Sequence, residues 1–79
     1  MNKRMMIVDD DLPFRERLSR SMEKKGFIVE TFSNYDDSIS RINETIFDFA
    51  VVDMRLNDGS GLELIKKIKN ITPTTKSLL

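Results

Sequence analysis

Short apolar runs at residues 5–8, 27–32 and 47–52 alternate with stretches whose apolar residues recur every three or four positions. The first pattern suits buried strands and the second suits amphipathic helices. Strand and helix in regular alternation imply right-handed crossovers, hence a parallel sheet flanked by helices. Parallel strands are buried on both faces, which accounts for their almost unbroken apolar character. A chain of 79 residues has room for one small domain, residues 1–79.

Residues 12–25 read as the first helix. Pro13 falls where a first turn tolerates it, Phe14, Leu18 and Met22 recur every four residues, and Gly26 follows two lysines as a stop. Phe27 to Phe32 form the second strand. Ser33 and Asp36 loosely resemble a capping box, and Tyr35, Ile39, Ile42 and Ile46 mark one face of a second helix. Phe47 to Val52 form the third strand. A loop with Asn57, Asp58, Gly59, Ser60 and Gly61 follows, Ser60 and Glu63 suggest another capping box, and Leu62, Ile65 and Ile68 mark a third helix. Lys66, Lys67 and Lys69 fall on its solvated side, Pro73 ends it, and residues 75–79 open a fourth strand.

Composition removes several classes of function. Thirteen basic and thirteen acidic residues cancel, so no electrostatic case exists for binding nucleic acid or a membrane surface. There is no cysteine and no histidine, which excludes disulfides, thiolate chemistry, imidazole metal ligands and Ser-His-Asp triads. No apolar run approaches the roughly 18 residues that span a bilayer. The basic start is followed by too short an apolar stretch for a signal peptide, so a cytoplasmic domain is expected.

The first and third strands both end in aspartate: Asp9 and Asp10 after the first, Asp53 after the third. In open parallel sheets the working site lies beyond the carboxyl ends of the strands. If the two strands are neighbours, three carboxylates meet in one pocket. Crowded acids raise one another's pKa unless a cation lies among them. An all-oxygen donor set suits Mg²⁺, and a carboxylate can also act as a nucleophile and form an aspartyl phosphate. For Asp9 and Asp10 alone, capping the first helix explains the acids equally well, and Asp11 fits that role. Asp53 at the matching end of another strand favours the site. Asp36, Asp37, Asp48 and Asp58 have no such placement and read as solvated or capping residues.

"MMIVDDD", "FDFAVVDMRLNDGSGLEL" and the spacing between them resemble the receiver domain of two-component response regulators, over nearly the whole chain. The stretch "VVDMRLNDGSGLELIKKIK" is most similar to the redox and photosynthesis global regulators of that family. The resemblance implies a flavodoxin-like fold, with Asp53 as phosphoacceptor. It implies that Asp10 binds Mg²⁺ directly, Asp9 directly or through water, and that Arg55 offers its backbone carbonyl. The implied partner is a sensor histidine kinase or phosphotransfer protein. The chain then receives a phosphoryl group rather than acting as an enzyme, apart from slow loss of that group.

Two departures stand out. Asn57 occupies the position four after the acceptor where the family often has proline, while Gly61 keeps its expected place. More seriously, the sequence stops inside strand four, short of the family's Thr or Ser on strand four and its Lys on strand five. One sheet face would keep only the first helix, leaving Phe49, Val51 and their neighbours in water. At about 1.5–3 kcal/mol per exposed large side chain, the expectation is a marginal chain, or one that self-associates through the uncovered sheet. Two other functions stand beside the phosphoacceptor. One is an interaction-only receiver that occupies a kinase through the first helix without signalling. The other is a Mg²⁺-dependent phosphohydrolase, disfavoured because Pro13 stands where that motif needs Thr. A Ca²⁺ loop from Asp53 also fails, with Asp58 in place of the sixth-position glycine.

Overall fold

The computed structural model describes residues 3–56 and 58–78. Strands β1 (Arg4–Val8), β2 (Ile28–Phe32), β3 (Phe49–Val52) and β6 (Lys76–Leu78) form one parallel sheet in the order β2-β1-β3-β6. Helices α1 (Leu12–Lys24), α2 (Tyr35–Ile42) and α3 (Gly61–Ile71) are the crossovers. This is the flavodoxin-like arrangement, with β1 and β3 side by side. A small antiparallel pair, β4 (Arg55–Leu56) with β5 (Gly59–Ser60), interrupts what was expected to be a plain loop. Asn57, expected in that loop, and Leu79, expected within the opening of the fourth strand, lie outside the described residues.

The two faces of the sheet are covered unequally. Met6 and Val8 of β1 and Ala50 and Val52 of β3 pack with Ile42, Phe47, Leu56, Leu64 and Ile68, all buried, under α2 and α3. On the opposite face α1 has no buried residue. There Phe49 and Val51, expected in water, are half-buried and their neighbours Met5 and Ile7 are buried; Phe27 meets the Phe49 ring edge-on at 5.3 Å.

The helix ends follow local chemistry with some shifts. Asp11 caps α1 by accepting from the Phe14 N–H at 3.1 Å, and Gly26 takes φ 97° just beyond its end. The cap of α2 is Asn34 rather than Ser33. Its side chain accepts from the Asp37 N–H at 2.9 Å and donates to the Asp37 carboxylate at 3.0 Å. Helix α2 stops at Ile42, so Ile46 lies outside it and is 63% exposed, and Phe47 fills the core instead. Ser60 caps α3, accepting from the Leu62 and Glu63 N–H groups. The inward face of α3 is Gly61, Leu64 and Ile68, with Ile65 packed alongside, and not Leu62, which is 45% exposed. Gly61 at the start of the helix packs directly against the Asp53 and Met54 backbone just after β3. The α3 lysines Lys66, Lys67 and Lys69 are exposed as expected; Lys67 also lies over the Tyr35 ring and the Lys69 ammonium bonds to the Thr75 carbonyl.

Candidate functional site

Two backbone hydrogen bonds set the positions of the acids. The Asp9 N–H donates to the Phe32 carbonyl at 3.0 Å, and the Asp53 N–H donates to the Val8 carbonyl at 2.9 Å. Each continues the sheet ladder one step past a strand end, so the residues after β1 and β3 are held at one edge. Oxygens of Asp9, Asp10 and Asp53 all lie within 4.8 Å of one another. The three residues singled out from sequence are therefore brought together. Asp9 and Asp53 are half-buried and Asp10 is exposed.

The cluster is electrostatically uncomfortable by itself. Burial pushes the Asp9 carboxyl above its ordinary range, and the Asp53, Asp10 and Asp11 charges push it further. The Asp11 N–H, donating to Asp9 Oδ1 at 2.9 Å, opposes them. Three carboxylates without a nitrogen or sulfur donor match a hard divalent cation. The donor set thus fits Mg²⁺, whose charge would relieve the repulsion.

The loop after Asp53 is shaped around that residue. The Arg55 N–H donates to Asp53 Oδ1 at 3.5 Å. The Gly61 N–H donates to the Met54 carbonyl at 2.9 Å. A Cβ on Gly61 would stand 1.8 Å from the Asp53 carbonyl oxygen, so only glycine fits there. Beside the acids a cleft of about 230 Å³ opens on the α1 side, lined by Ile7, Phe14, Val51, Asp9, Asp53 and Met54 among others. The acids thus border apolar surface on the thinly covered face.

The chain belongs to the response regulator receiver family. The family model for the response regulator receiver domain matches residues 5–79. Among curated relatives, the acid tolerance regulatory protein ActR of Rhizobium meliloti is 38% identical over 78 residues, 99% of this chain and 40% of ActR. The photosynthetic apparatus regulatory protein RegA of Cereibacter sphaeroides is 36% identical over 72 residues, 91% of this chain and 39% of RegA. These relatives agree with the likeness to redox and photosynthesis regulators seen in the sequence. The receiver spans about 40% of the length of ActR.

Solved structures agree on the fold. Response regulator TrrA from Thermotoga maritima, in complex with Mg²⁺-BeF, superposes with a TM-score of 0.90 at 26% identity, covering 98% of this receiver and 67% of that chain. A response regulator from Burkholderia pseudomallei, with a phosphorylated aspartic acid, a calcium ion and citrate, gives a TM-score of 0.91 at 29% identity, covering 96% and 45%. Among the described residues, no helix is long and apolar enough to cross a membrane.

Two residues near the site were not assigned there from sequence. Arg15 of α1 donates from Nη1 to the Asp9 carbonyl oxygen at 2.7 Å. Side chains on a helix lean toward its N-terminus, so a long cationic residue just after an acidic loop can reach back to it. That is the signal that could have found it. Asp58, read as solvated or capping, accepts from the Tyr35 and Asp36 N–H groups at 2.8 and 3.2 Å. It caps α2 from 22 residues away in sequence, which no local pattern announces.

Proposed function

We propose that this receiver accepts a phosphoryl group on Asp53 from a sensor histidine kinase or phosphotransfer protein, within a cytoplasmic two-component relay. The observation that carries the reading is the convergence of Asp9, Asp10 and Asp53 within 4.8 Å at the carboxyl edge of adjacent strands. A related receiver structure contains a phosphorylated aspartic acid and a bound cation, and another contains Mg²⁺.

In the proposed transfer, an Asp53 carboxylate oxygen attacks phosphorus in line, forming a P–O bond as the donor's P–N bond breaks. The electron pair of that bond returns to the donor's imidazole nitrogen. No base is needed, because the nucleophile carries no proton to remove. Asp9, Asp10, Asp53 and the Arg55 carbonyl would hold the cation. Mg²⁺, when bound, neutralises charge on the phosphoryl oxygens. The Gly61 contact constrains the backbone of Asp53, and the Arg55 N–H faces one of its carboxylate oxygens at 3.5 Å. The domain assignment, residues 1–79 as receiver domain, follows the same reading, and the family model matches residues 5–79.

The modified residue can be mapped chemically. After incubation with acetyl phosphate and Mg²⁺, borohydride reduction converts an aspartyl phosphate to homoserine, which peptide mass spectrometry locates. Homoserine at position 53 is expected. Homoserine at position 9 or 10 instead contradicts the assignment.

A further inference from the structure

We infer that Arg15 is a positioning residue for the divalent-cation site: its guanidinium fixes the peptide between Asp9 and Asp10 and so sets where the Asp10 carboxylate points. The inference rests on the proposed reading of the acids as a cation site.

The hydrogen bonds around the acidic loop distribute unevenly. Asp9 is held at its N–H by Phe32 and at Oδ1 by the Asp11 N–H. Asp11 is held by its bond from the Phe14 N–H. Asp10 sits between them, exposed, and among the described residues its carboxylate receives no hydrogen bond from the protein. Only the backbone can orient it. The Asp9 carbonyl belongs to the peptide unit that leads into Asp10, and that plane is rigid. The 2.7 Å bond from Arg15 Nη1 to this carbonyl therefore fixes one of the two peptide planes that set the Asp10 Cα–Cβ direction.

Arg15 is suited to this task. It is half-buried, and among the described residues it forms no ion pair, although Arg4, Arg20 and Arg41 each do. Its charge is directed at a neutral carbonyl, where a charged donor makes a stronger bond than a neutral one. Its planar fork is also pre-organised to hold one direction. Residues that orient metal ligands without touching the metal typically change affinity or activity by about 10–100-fold when removed.

Positioning and simple electrostatics predict opposite signs. A cation near the site repels Mg²⁺, so on Coulomb grounds alone removing Arg15 should tighten binding. If Arg15 positions Asp10, removing it should loosen binding. Isothermal titration of the full chain with MgCl₂ distinguishes the two, using Arg15→Met, Arg15→Gln and the control Arg17→Met, an exposed cation on the same helix. The expected result is Mg²⁺ affinity weakened about tenfold in both Arg15 variants, with a cooperative melt retained, and unchanged or tighter binding in Arg17→Met. Equal or tighter binding in either folded Arg15 variant overturns the inference alone. Loss of a cooperative melt in both assigns Arg15 to folding and overturns it too. A parent chain that fails to bind Mg²⁺ overturns the proposed cation site and this inference together.

Discussion

Gly61 sits so tightly against Asp53 that a Cβ added to it would lie 1.8 Å from the Asp53 carbonyl oxygen and 2.9 Å from the Met54 Cα. The neighbour is backbone, which cannot swing aside. In an ordinary helix position, glycine to alanine stabilises by about 1 kcal/mol. Here overpacking should reverse the sign, costing about 1–3 kcal/mol or more. Gly61→Ala is expected to lower the urea midpoint and weaken Mg²⁺ binding by displacing Asp53. Gly59→Ala meets first the Tyr35 side chain, at 3.0 Å, and should cost less. An unchanged or raised midpoint for Gly61→Ala would contradict the close packing.

Asp58 ties the loop after Asp53 to the start of α2, and its two backbone bonds hold its carboxyl below the ordinary value of 3.8. A carboxyl with a depressed folded pKa stabilises the fold above the unfolded pKa. That contribution fades as pH falls through the folded value. Asp58→Ala should therefore melt earlier than the parent at neutral pH. The difference should shrink below about pH 4 as the parent's carboxylate gains its proton. Melting curves across that range check it, and a difference that does not change with pH would contradict the assignment.

Asp9 has the opposite sign. Its folded pKa is raised, chiefly by burial and then by the neighbouring acids. Between the ordinary value and the raised one, the folded chain holds more of this proton than the unfolded chain does. The Asp9 contribution to stability without metal therefore declines as pH rises through that window. Mg²⁺ needs the carboxylate, so its affinity should climb over the same window. Asp9→Asn should flatten both trends, as read by calorimetry with and without Mg²⁺. A pH dependence of Mg²⁺ binding identical in Asp9→Asn and parent would contradict this account.

The acids were legible in the sequence because strand ends are marked by an abrupt change from apolar to charged, and parallel pairing makes those ends adjacent. The core under α2 and α3 was partly legible. Periodicity found Ile42 and Ile68, but it extended α2 to Ile46 and placed Leu62 rather than Leu64 on the inner face. A hydropathy pattern does not register a glycine as a contact position, yet Gly61 is buried on the inner face of α3 with Leu64 and Ile68. The β4-β5 pair was missed because two-residue strands carry no period. Arg15 offers only its place, a long cation one turn after the acidic loop, and Asp58 reads as solvated or capping, but nothing local names a helix 22 residues away as what it caps.

The thin cover on the α1 face predicts solution behaviour. Phe14 is 39% exposed and lines, with the half-buried Val51, a cleft of about 230 Å³, and Phe49 is also half-buried. The 79-residue chain is expected to bind a hydrophobic dye or to self-associate on size exclusion. Val51→Thr should reduce the dye signal. A dye-negative monomer with a sharp melt would contradict the expectation.

The most direct measurement is intact mass after incubation with acetyl phosphate, with Mg²⁺ and with chelator, for the parent chain and for Asp53→Asn. The account predicts a gain of one phosphoryl group by the parent, in Mg²⁺ only, and none by Asp53→Asn. Equal gain by the variant, or no gain by a parent chain shown by circular dichroism to be folded, would contradict it.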